Sequence, residues 1–288
     1  MILKIFTFLP IILLFGGNTY SSPSFTLLQI ECDGGMIISS STEQRQIAEK
    51  NWIGDVQRGM LFNNDFYAVD QNNKLIVTNI NSMKFTYISD FNRVLNEEYH
   101  LWRIVFVDEE RIIVSAYKHD KFKPIGKQRT YFFFQFDRDT ATISKISIPD
   151  CCNDFFSLYK STAYYTNTDG NICSYNNNVN HILGIKGISP SISPDGSKLA
   201  YISFGIIMEG VYIFDLQTKK IQSVIKFFGP QSVYPTIRWS DDSLLLGISK
   251  QSDIFATSLY VNSLSTKKNI YEFKKSHACN WFFIKKQR

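Results

Sequence analysis

The sequence predicts an all-β protein, a six-bladed β-propeller of four-stranded antiparallel blades whose ring is closed by strands from both ends of the chain. Two observations lead to this prediction. The chain repeats itself with the length of a propeller blade, and its C-terminal segment copies the first strand of an internal blade. Aromatic residues, which are favoured in strands, make up 15% of the 288 residues. Helical periodicity is nearly absent.

The clearest repeat unit spans residues 190–221. A turn at Pro194-Asp195-Gly196 follows its first strand, because proline sets one turn dihedral and glycine permits a positive φ. Further strands are expected at 198–203 and 211–216 and from Ile221 onwards. One such unit cannot bury its own faces, so it predicts copies along the chain.

A second copy lies about 47 residues further on, where Ser240-Asp241-Asp242-Ser243 takes the place of Ser193-Pro194-Asp195-Gly196. We expect the turn residues Pro194, Asp195, Gly196, Asp241 and Asp242 to be structural, since aspartate in such turns caps backbone donors one or two residues on. No cofactor is predicted. The alternative is a structural Ca²⁺ bound by Asp195, Asp215 or Asp242. Residues 106–115, with 131–136 as a third strand, form a looser copy.

The end of the chain predicts how the ring closes. Residues 279–284, CNWFFI, resemble residues 152–157, CNDFFS, which open the unit before Pro190. The C-terminus is therefore the first strand of a blade whose other strands come from 25–30, 36–39 and 45–47, and this closure removes an open sheet edge. The other blades begin near residues 59, 101, 152, 190 and 235, and short helices are conceivable at 41–51 and 91–100.

The run Ser193-Pro194-Asp195-Gly196 with the strands after it resembles the blade repeat of TolB-like six-bladed propellers. The same repeat type occurs in the propeller domains of prolyl-oligopeptidase-type peptidases. The resemblance is sharp over 190–270 and loose over 59–183, and it departs at residues 240–243, where the turn has neither proline nor glycine. It implies a propeller fold. TolB proteins also carry a separate N-terminal domain for which this chain has no room, so a TolB-type role is an analogy about the fold.

The five cysteines allow one specific disulfide prediction. Cys32 ends the first N-terminal strand, and Cys279 begins the C-terminal strand expected to run antiparallel beside it. A Cys32–Cys279 disulfide would therefore staple the ring. The pairing of Cys151, Cys152 and Cys173 stays open. The cysteines lack the paired Cys-x-x-Cys spacing of a metal site.

The N-terminus predicts export. Lys4 precedes an apolar run at residues 5–15, so residues 1–21 are interpreted as a signal peptide and residues 22–288 as a single propeller domain in the periplasm or outside the cell. The alternative is an uncleaved anchor, which the short apolar run disfavours. After cleavage no stable membrane insertion is expected.

No catalytic machinery is visible, and no Gly-x-Ser-x-Gly nucleophile elbow occurs. We expect a monomeric protein-interaction scaffold with an envelope or extracellular protein as its partner. A net charge of +5 without long basic runs does not predict nucleic-acid binding. The alternatives are a carbohydrate-binding propeller and a hydrolase or lactonase with a bound metal, whose channel carboxylates would come from Asp65, Asp70, Asp108, Glu109 or Asp154.

Overall fold

The computed structural model describes residues 25–31, 36–40, 44–48, 59–70, 72–82, 84–91, 95, 99–119, 129–204, 208–228, 236–253, 256–276 and 278–284. These residues form six four-stranded antiparallel sheets, which we call blades 1 to 6. Within this part of the chain, no helix is both long and apolar enough to cross a membrane.

Blade 1 begins with β1 (Thr26–Glu31), β2 (Met36–Ser40) and β3 (Gln44–Ala48). Blade 2 consists of β4 (Met60–Phe62), β5 (Asp65–Val69), β6 (Lys74–Asn79) and β7 (Phe85–Asp90). Blade 3 consists of β8 (Tyr99–Val107), β9 (Arg111–His119), β10 (Arg129–Asp137) and β11 (Ile143–Ile146).

Blade 4 consists of β12 (Cys151–Tyr159), β13 (Thr162–Asn167), β14 (Asn171–Asn176) and β15 (Val179–Lys186). Blade 5 consists of β16 (Ile188–Ile192), β17 (Lys198–Phe204), β18 (Met208–Asp215) and β19 (Ile221–Phe228). Blade 6 consists of β20 (Ile237–Trp239), β21 (Leu245–Asp253), β22 (Ala256–Ser263) and β23 (Lys268–Ser276). The last strand, β24 (Ala278–Ile284), returns to blade 1.

The ring closes as the repeat predicts. Blade 1 has the strand order β24-β1-β2-β3, so its first strand comes from the C-terminus and the rest from the N-terminus. The two end strands pair antiparallel, with Thr26 opposite Ile284 and Ile30 opposite Asn280. The expected propeller of six four-stranded blades is confirmed.

Strands in the middle of the blades, where they are described, are buried on both faces, which explains their long apolar runs. In β17, Leu199 and Tyr201 pack toward blade 4, while Ala200 and Ile202 pack toward blade 6. Because successive side chains of a strand point to opposite faces, one apolar run supplies two interfaces. The described residues form six hydrophobic clusters of this kind, one between each pair of neighbouring blades around the ring.

The helix suggested at 41–51 is corrected by the structure. Residues 44–48, within the suggested helix at 41–51, form β3, whose backbone groups pair with β2 from Ser39 opposite Gln44 to Met36 opposite Ala48. Tyr99 and His100, at the end of the segment 91–100, already belong to β8. In β3 pairing with the neighbouring strand overrides a weak local preference for helix. Earlier in the segment 91–100, the N–H of Leu95 donates to the Phe91 carbonyl at 2.8 Å, as in a helical turn.

The turn between β16 and β17 is held by its serine and aspartate side chains. Asp195 Oδ1 accepts hydrogen bonds from the hydroxyl of Ser193 and the backbone N–H of Ser197, 3.0 Å away. The Ser193 hydroxyl oxygen also accepts the N–H of Lys198 at 2.9 Å. Gly196 N–H donates to the Ser193 carbonyl at 2.8 Å. Polar groups left between the strands are thus satisfied locally.

Blade 6 builds the same turn without proline or glycine. Asp242 Oδ1 accepts from the Ser240 hydroxyl and from the N–H of Leu244 at 2.9 Å, and Ser240 Oγ accepts the N–H of Leu245 at 2.9 Å. Ser243 N–H donates to the Ser240 carbonyl at 2.9 Å. These are the bonds of the blade 5 turn, shifted by one repeat.

The two turns differ in how they reach a left-handed backbone. Gly196 has φ 73°, and Ser243 takes the equivalent place with φ 59°. A Cβ at residue 196 would lie 2.3 Å from the Tyr159 ring, so glycine is needed there for space as well as for conformation. Pro194 and Asp241 occupy equivalent exposed positions.

We expect Asp195→Ala to lower the free energy of unfolding by about 1 kcal/mol at pH 7, because the buried Ser193 hydroxyl and the N–H of Ser197 lose their acceptor. Burial raises the pKa of Asp195, but hydrogen bonds from Ser193 and Ser197 outweigh it and lower the pKa to about 2 from the ordinary 3.8. The contribution is therefore present above about pH 4 and lost as the pH falls toward 2. Urea unfolding at several pH values measures it.

The matched control is Asp139→Ala, an exposed aspartate in the turn between β10 and β11. It should leave the free energy of unfolding within about 0.5 kcal/mol of the parent. Equal losses for both variants would contradict the role of Asp195.

Candidate functional site in the central channel

The innermost strands surround a central cavity. The first strand of each blade packs against that of the next, from β4 to β8, β12, β16, β20 and β24. A cavity of about 130 Å³ is lined by residues that belong to five of these strands or adjoin them in the sequence. This is the concave feature that a propeller ring offers to a ligand.

Two arginines contribute to the cavity wall. Arg103 lies in β8 and Arg238 in β20, and both side chains are half-buried. The Arg238 guanidinium carbon stacks 4.0 Å from the centre of the Phe282 ring, which orients it by a cation–π contact. Burial and, second, the positive charge of Arg103 lower the pKa of Arg238 to about 9. Both groups are cationic at neutral pH and contribute two positive charges to the described part of the channel wall.

Ser189 adds a hydroxyl group to the same wall. Its side chain is only 6% exposed, and its Oγ has no hydrogen-bond partner. The residue has φ 52°, a left-handed conformation that is rare for serine. The pairing of β16 with β17 is irregular between Ile188 and Ser191, and this bulge includes Ser189. Bulges of this kind re-aim side chains next to functional sites.

Hydrogen bonds between blades fix the inner strands around the cavity. The N–H of Ile192 in β16 donates to the Ser157 hydroxyl of β12 at 3.0 Å. The Trp239 indole N–H of β20 donates to the Ser191 carbonyl at 2.9 Å. The wall is therefore rigid, because three consecutive blades are joined at the cavity as well as through their cores.

The carboxylates considered for a hydrolase are used in strand ends and turns. Asp65 accepts a hydrogen bond from the Asn79 side-chain amide at 2.8 Å. Asp70 accepts the backbone N–H groups of Asn72 and Lys74, each at 2.8 Å. Both carboxylates therefore hold the ends of strands in blade 2.

The remaining acidic candidates follow the same pattern where they are described. Asp108 accepts the backbone N–H of Arg111 at 2.8 Å and its Nε at 3.1 Å. Glu109 accepts from the Asn63 amide at 3.2 Å. The side chain of Asp154 lies outside the described residues.

The aspartates considered for Ca²⁺ also bind backbone donors. Besides Asp195 and Asp242, Asp215 Oδ1 accepts the N–H groups of Gln217 at 3.1 Å and Thr218 at 2.7 Å. Over the described ranges, no group of three or more histidine, cysteine, aspartate or glutamate side chains is placed to hold a metal ion.

The described part of the chain contains no disulfide, and the predicted pair lies outside it. Cys173 is a thiol buried between blades 3 and 4, where burial raises its pKa and keeps it protonated at neutral pH. Cys32 and the side chains of Cys152 and Cys279 lie outside the described residues.

Arg103 and Arg238 are not among the site residues predicted from the sequence. A signal was present, because each arginine follows an apolar residue in a segment expected to be an inner strand, and charged side chains are rarely buried there without a purpose. When the two repeats are aligned in sequence, Arg238 takes the position of Ser191, which also lines the cavity.

No protein-family model and no curated protein sequence matches the chain. Solved structures do match. TolB from Acinetobacter baumannii has a TM-score of 0.61 at 12% identity, over 90% of this chain and 66% of the TolB chain. A chain of a nidogen/laminin complex has a TM-score of 0.61 at 11% identity, over 91% and 99% of the two chains. Oligogalacturonate lyase in complex with manganese has a TM-score of 0.54 at 13% identity, over 84% and 70%.

At such low identity these similarities concern the fold alone. They confirm that the blade repeat belongs to a propeller of the kind found in TolB, as the resemblance implied. The chain spans just under two thirds of the length of that TolB protein. The three neighbours differ in their roles, so the function has to be argued from the channel.

Proposed function

We propose that this protein is an exported, monomeric propeller without catalytic activity that binds a protein partner at the mouth of its central channel. The observation that carries the proposal is the pair of arginines, Arg103 and Arg238, which line the channel cavity from two different blades. Cationic side chains on a rigid concave scaffold provide recognition of an acidic partner surface.

Two further observations support this proposal. Residues 1–21 have the composition of a signal peptide, so the partner would be an envelope or extracellular protein. One structural neighbour is a chain of a protein–protein complex, that of nidogen with laminin. Arginine is also among the residues enriched where proteins bind one another.

A second candidate is an exported propeller enzyme of the hydrolase or lactonase type with a bound metal. Asp154 favours it, because this acidic residue lies within β12, one of the strands around the channel. The similarity to an oligogalacturonate lyase bound to manganese is compatible with it. A metal analysis of the purified protein and a panel of hydrolase substrates test this candidate.

The scaffold proposal is tested by cross-linking the tagged mature protein in its native envelope and identifying captured proteins by mass spectrometry. We expect one reproducible partner, and we expect its capture to fall at least tenfold when Arg103 and Arg238 are both replaced by glutamine. The matched control replaces two exposed lysines on other parts of the surface, Lys186→Gln and Lys220→Gln, which removes the same charge.

The outcomes of this experiment separate the alternatives. If the arginine double variant and the lysine double variant both lose the captured partner, the attraction to this basic protein is non-specific. That result would contradict binding at the channel. An empty capture from folded, exported protein would overturn the scaffold proposal.

A further inference from the structure

The outer edge of blade 4 is formed by β15, which has one neighbouring strand, β14, in the described part of the chain. The two strands pair regularly from Asn176 opposite Val179 to Cys173 opposite Ile182. In an antiparallel sheet, alternate residues of the outermost strand direct their backbone N–H and C=O groups away from the sheet. The edge of β15 therefore presents a row of backbone donors and acceptors on the outside of the ring.

Both flanks of this edge are open to solvent. The first four residues of β15, from Val179 to Ile182, are all exposed, whereas exposed and buried residues would alternate in a strand with one covered face. Among the described large apolar side chains none is more exposed than Ile182, at 62%. A Cβ added at Gly184 would meet no atom within 4 Å. An approaching chain can thus reach the backbone of β15 and also the side chains on either flank.

The strand β15 lacks the charges that protect the outer strands of other blades. Lys145 lies within β11, Lys226 within β19 and Glu272 within β23. Residues 179–185 contain no lysine, arginine, aspartate, glutamate or proline, and this is the longest uncharged run in any described outer strand. Charges and prolines normally keep sheet edges from pairing with other chains. Their absence here indicates an edge that is used for pairing.

The edge is also fixed at both of its ends. In the turn between β14 and β15, Asn177 and Asn178 have φ values of 49° and 63°, the left-handed conformations of a tight hairpin turn. The Tyr175 hydroxyl donates a hydrogen bond to Asn178 Oδ1 at 2.9 Å. At the other end, the N–H of Gly187 donates to the Gly170 carbonyl at 3.0 Å. A chain that pairs with β15 therefore meets a preformed strand, which lowers the cost of ordering.

The shape of the edge determines which kind of partner fits. The eight residues of β15 extend over about 26 Å. Two propellers that meet edge to edge would contact each other along this single strand, whereas a stable interface uses roughly 20–30 residues from each partner. An extended segment of another polypeptide can pair with the backbone and cover both flanks as well. The edge thus favours an extended segment over a second copy of this chain.

The side chains of β15 indicate the composition of this segment. Ile182 lies on the side of blade 3, and Leu183 packs toward blade 5. Val179 and His181 share the flank of Leu183, because successive side chains alternate. Apolar contact is available on both flanks, which favours β-branched or aromatic residues in the partner. Lys186, exposed at the end of the strand, favours an acidic residue at the corresponding end of the segment.

We propose that the outer edge of β15 binds an extended segment of a partner protein, which adds a fifth strand to blade 4. Main-chain hydrogen bonds supply the affinity, and the exposed apolar side chains supply the specificity. The site goes beyond the proposed function, because it lies on the outside of the ring and acts independently of the channel mouth. A partner held at this edge leaves the channel accessible, since the channel is surrounded by the inner strands.

The first test is photo-cross-linking in the native envelope. The photoreactive residue p-benzoylphenylalanine replaces Val179 or His181 or, as a control, Ile221, which is also exposed on an outer strand, β19. Cross-linked peptides are identified by mass spectrometry. We expect positions 179 and 181 to capture the same segment of one partner, at residues that are two apart, as strand pairing requires. Position 221 should not capture it.

The second test uses the purified mature chain and a synthetic peptide of the captured segment. Ile182→Lys should weaken peptide binding at least tenfold without changing the midpoint of thermal unfolding, because the side chain is exposed. The control Ile221→Lys should bind like the parent. Two further peptides carry N-methyl groups on alternate backbone nitrogens. The peptide whose N–H groups toward β15 are blocked should lose binding, and the other should keep it.

Three results would overturn strand addition at β15. Positions 179 and 181 could capture nothing beyond what position 221 captures. They could capture a second copy of this chain, which would assign the edge to self-association. The two N-methylated peptides could bind the parent protein equally well, which would mean contact without main-chain pairing, and this comparison needs no variant of the protein. An edge that captures nothing leaves the channel proposal standing, because that proposal predicts no contact at β15.

Discussion

Trp281→Ala is expected to lower the free energy of unfolding by about 3–5 kcal/mol, the usual cost of truncating a buried tryptophan. Trp281 lies in β24 and is 2% exposed. It packs into the cluster between blades 6 and 1, together with Leu27 of β1 and Leu259 of β22. Its ring also lies so close to Gly247 that a Cβ there would be 2.3 Å away. The alanine variant would therefore have a cavity between blades 6 and 1, where the ring closes.

Guanidinium-induced unfolding followed by far-UV circular dichroism measures this effect without relying on tryptophan fluorescence. The control is Ile182→Ala in β15, where the side chain is 62% exposed, and it should change the free energy of unfolding by less than about 0.5 kcal/mol. A loss below about 1 kcal/mol for Trp281→Ala would mean that closure through β24 contributes little to stability.

Reduction of the predicted Cys32–Cys279 disulfide is expected to lower the free energy of unfolding by about 4–5 kcal/mol, since the bond would close a loop of almost the whole chain. The strand pairing brings the end of β1, which Cys32 follows, next to the start of β24. Glu31 at the end of β1 lies opposite Ala278 at the start of β24, and the pairing is irregular next to it. Each cysteine adjoins one of these two residues in the sequence. Denaturant titration with and without a reductant measures the loss.

Two variants serve as controls for this prediction. Cys279→Ser should be as unstable as the reduced parent, and a reductant should not destabilise it further. Cys32→Ser should behave in the same way. Peptide mapping of exported protein without reduction should find the two cysteines linked, and recovery of both as alkylated thiols would show that the bond is not formed.

The blade architecture was predictable because its determinants are local. The turn aspartates bind N–H groups two residues on, so a short motif is enough to locate a blade. The aligned repeat also transferred the turn correctly to residues 240–243 in spite of the missing proline and glycine, because Ser243 adopts the left-handed conformation itself. The closing blade was predictable from the likeness of residues 279–284 to 152–157.

The channel site was not predictable in the same way. Arg103 and Arg238 are far apart in sequence and meet only because β8 and β20 lie around the same axis. The register of an inner strand decides which of its side chains reach the channel axis. In β16 the irregular pairing that includes Ser189 changes this register. Neither composition nor spacing carries that information.

The strand order of blade 1 also determines when the protein can fold. Its first strand, β24, ends at Ile284 and is synthesised after the other described strands, whereas its partner β1 begins at Thr26 and is synthesised before them. The sheet of blade 1 cannot be completed until β24 has left the ribosome. The emerging polypeptide therefore keeps an open sheet edge and its aromatic surface accessible throughout synthesis. Such a delay would create a need for chaperones before the ring closes.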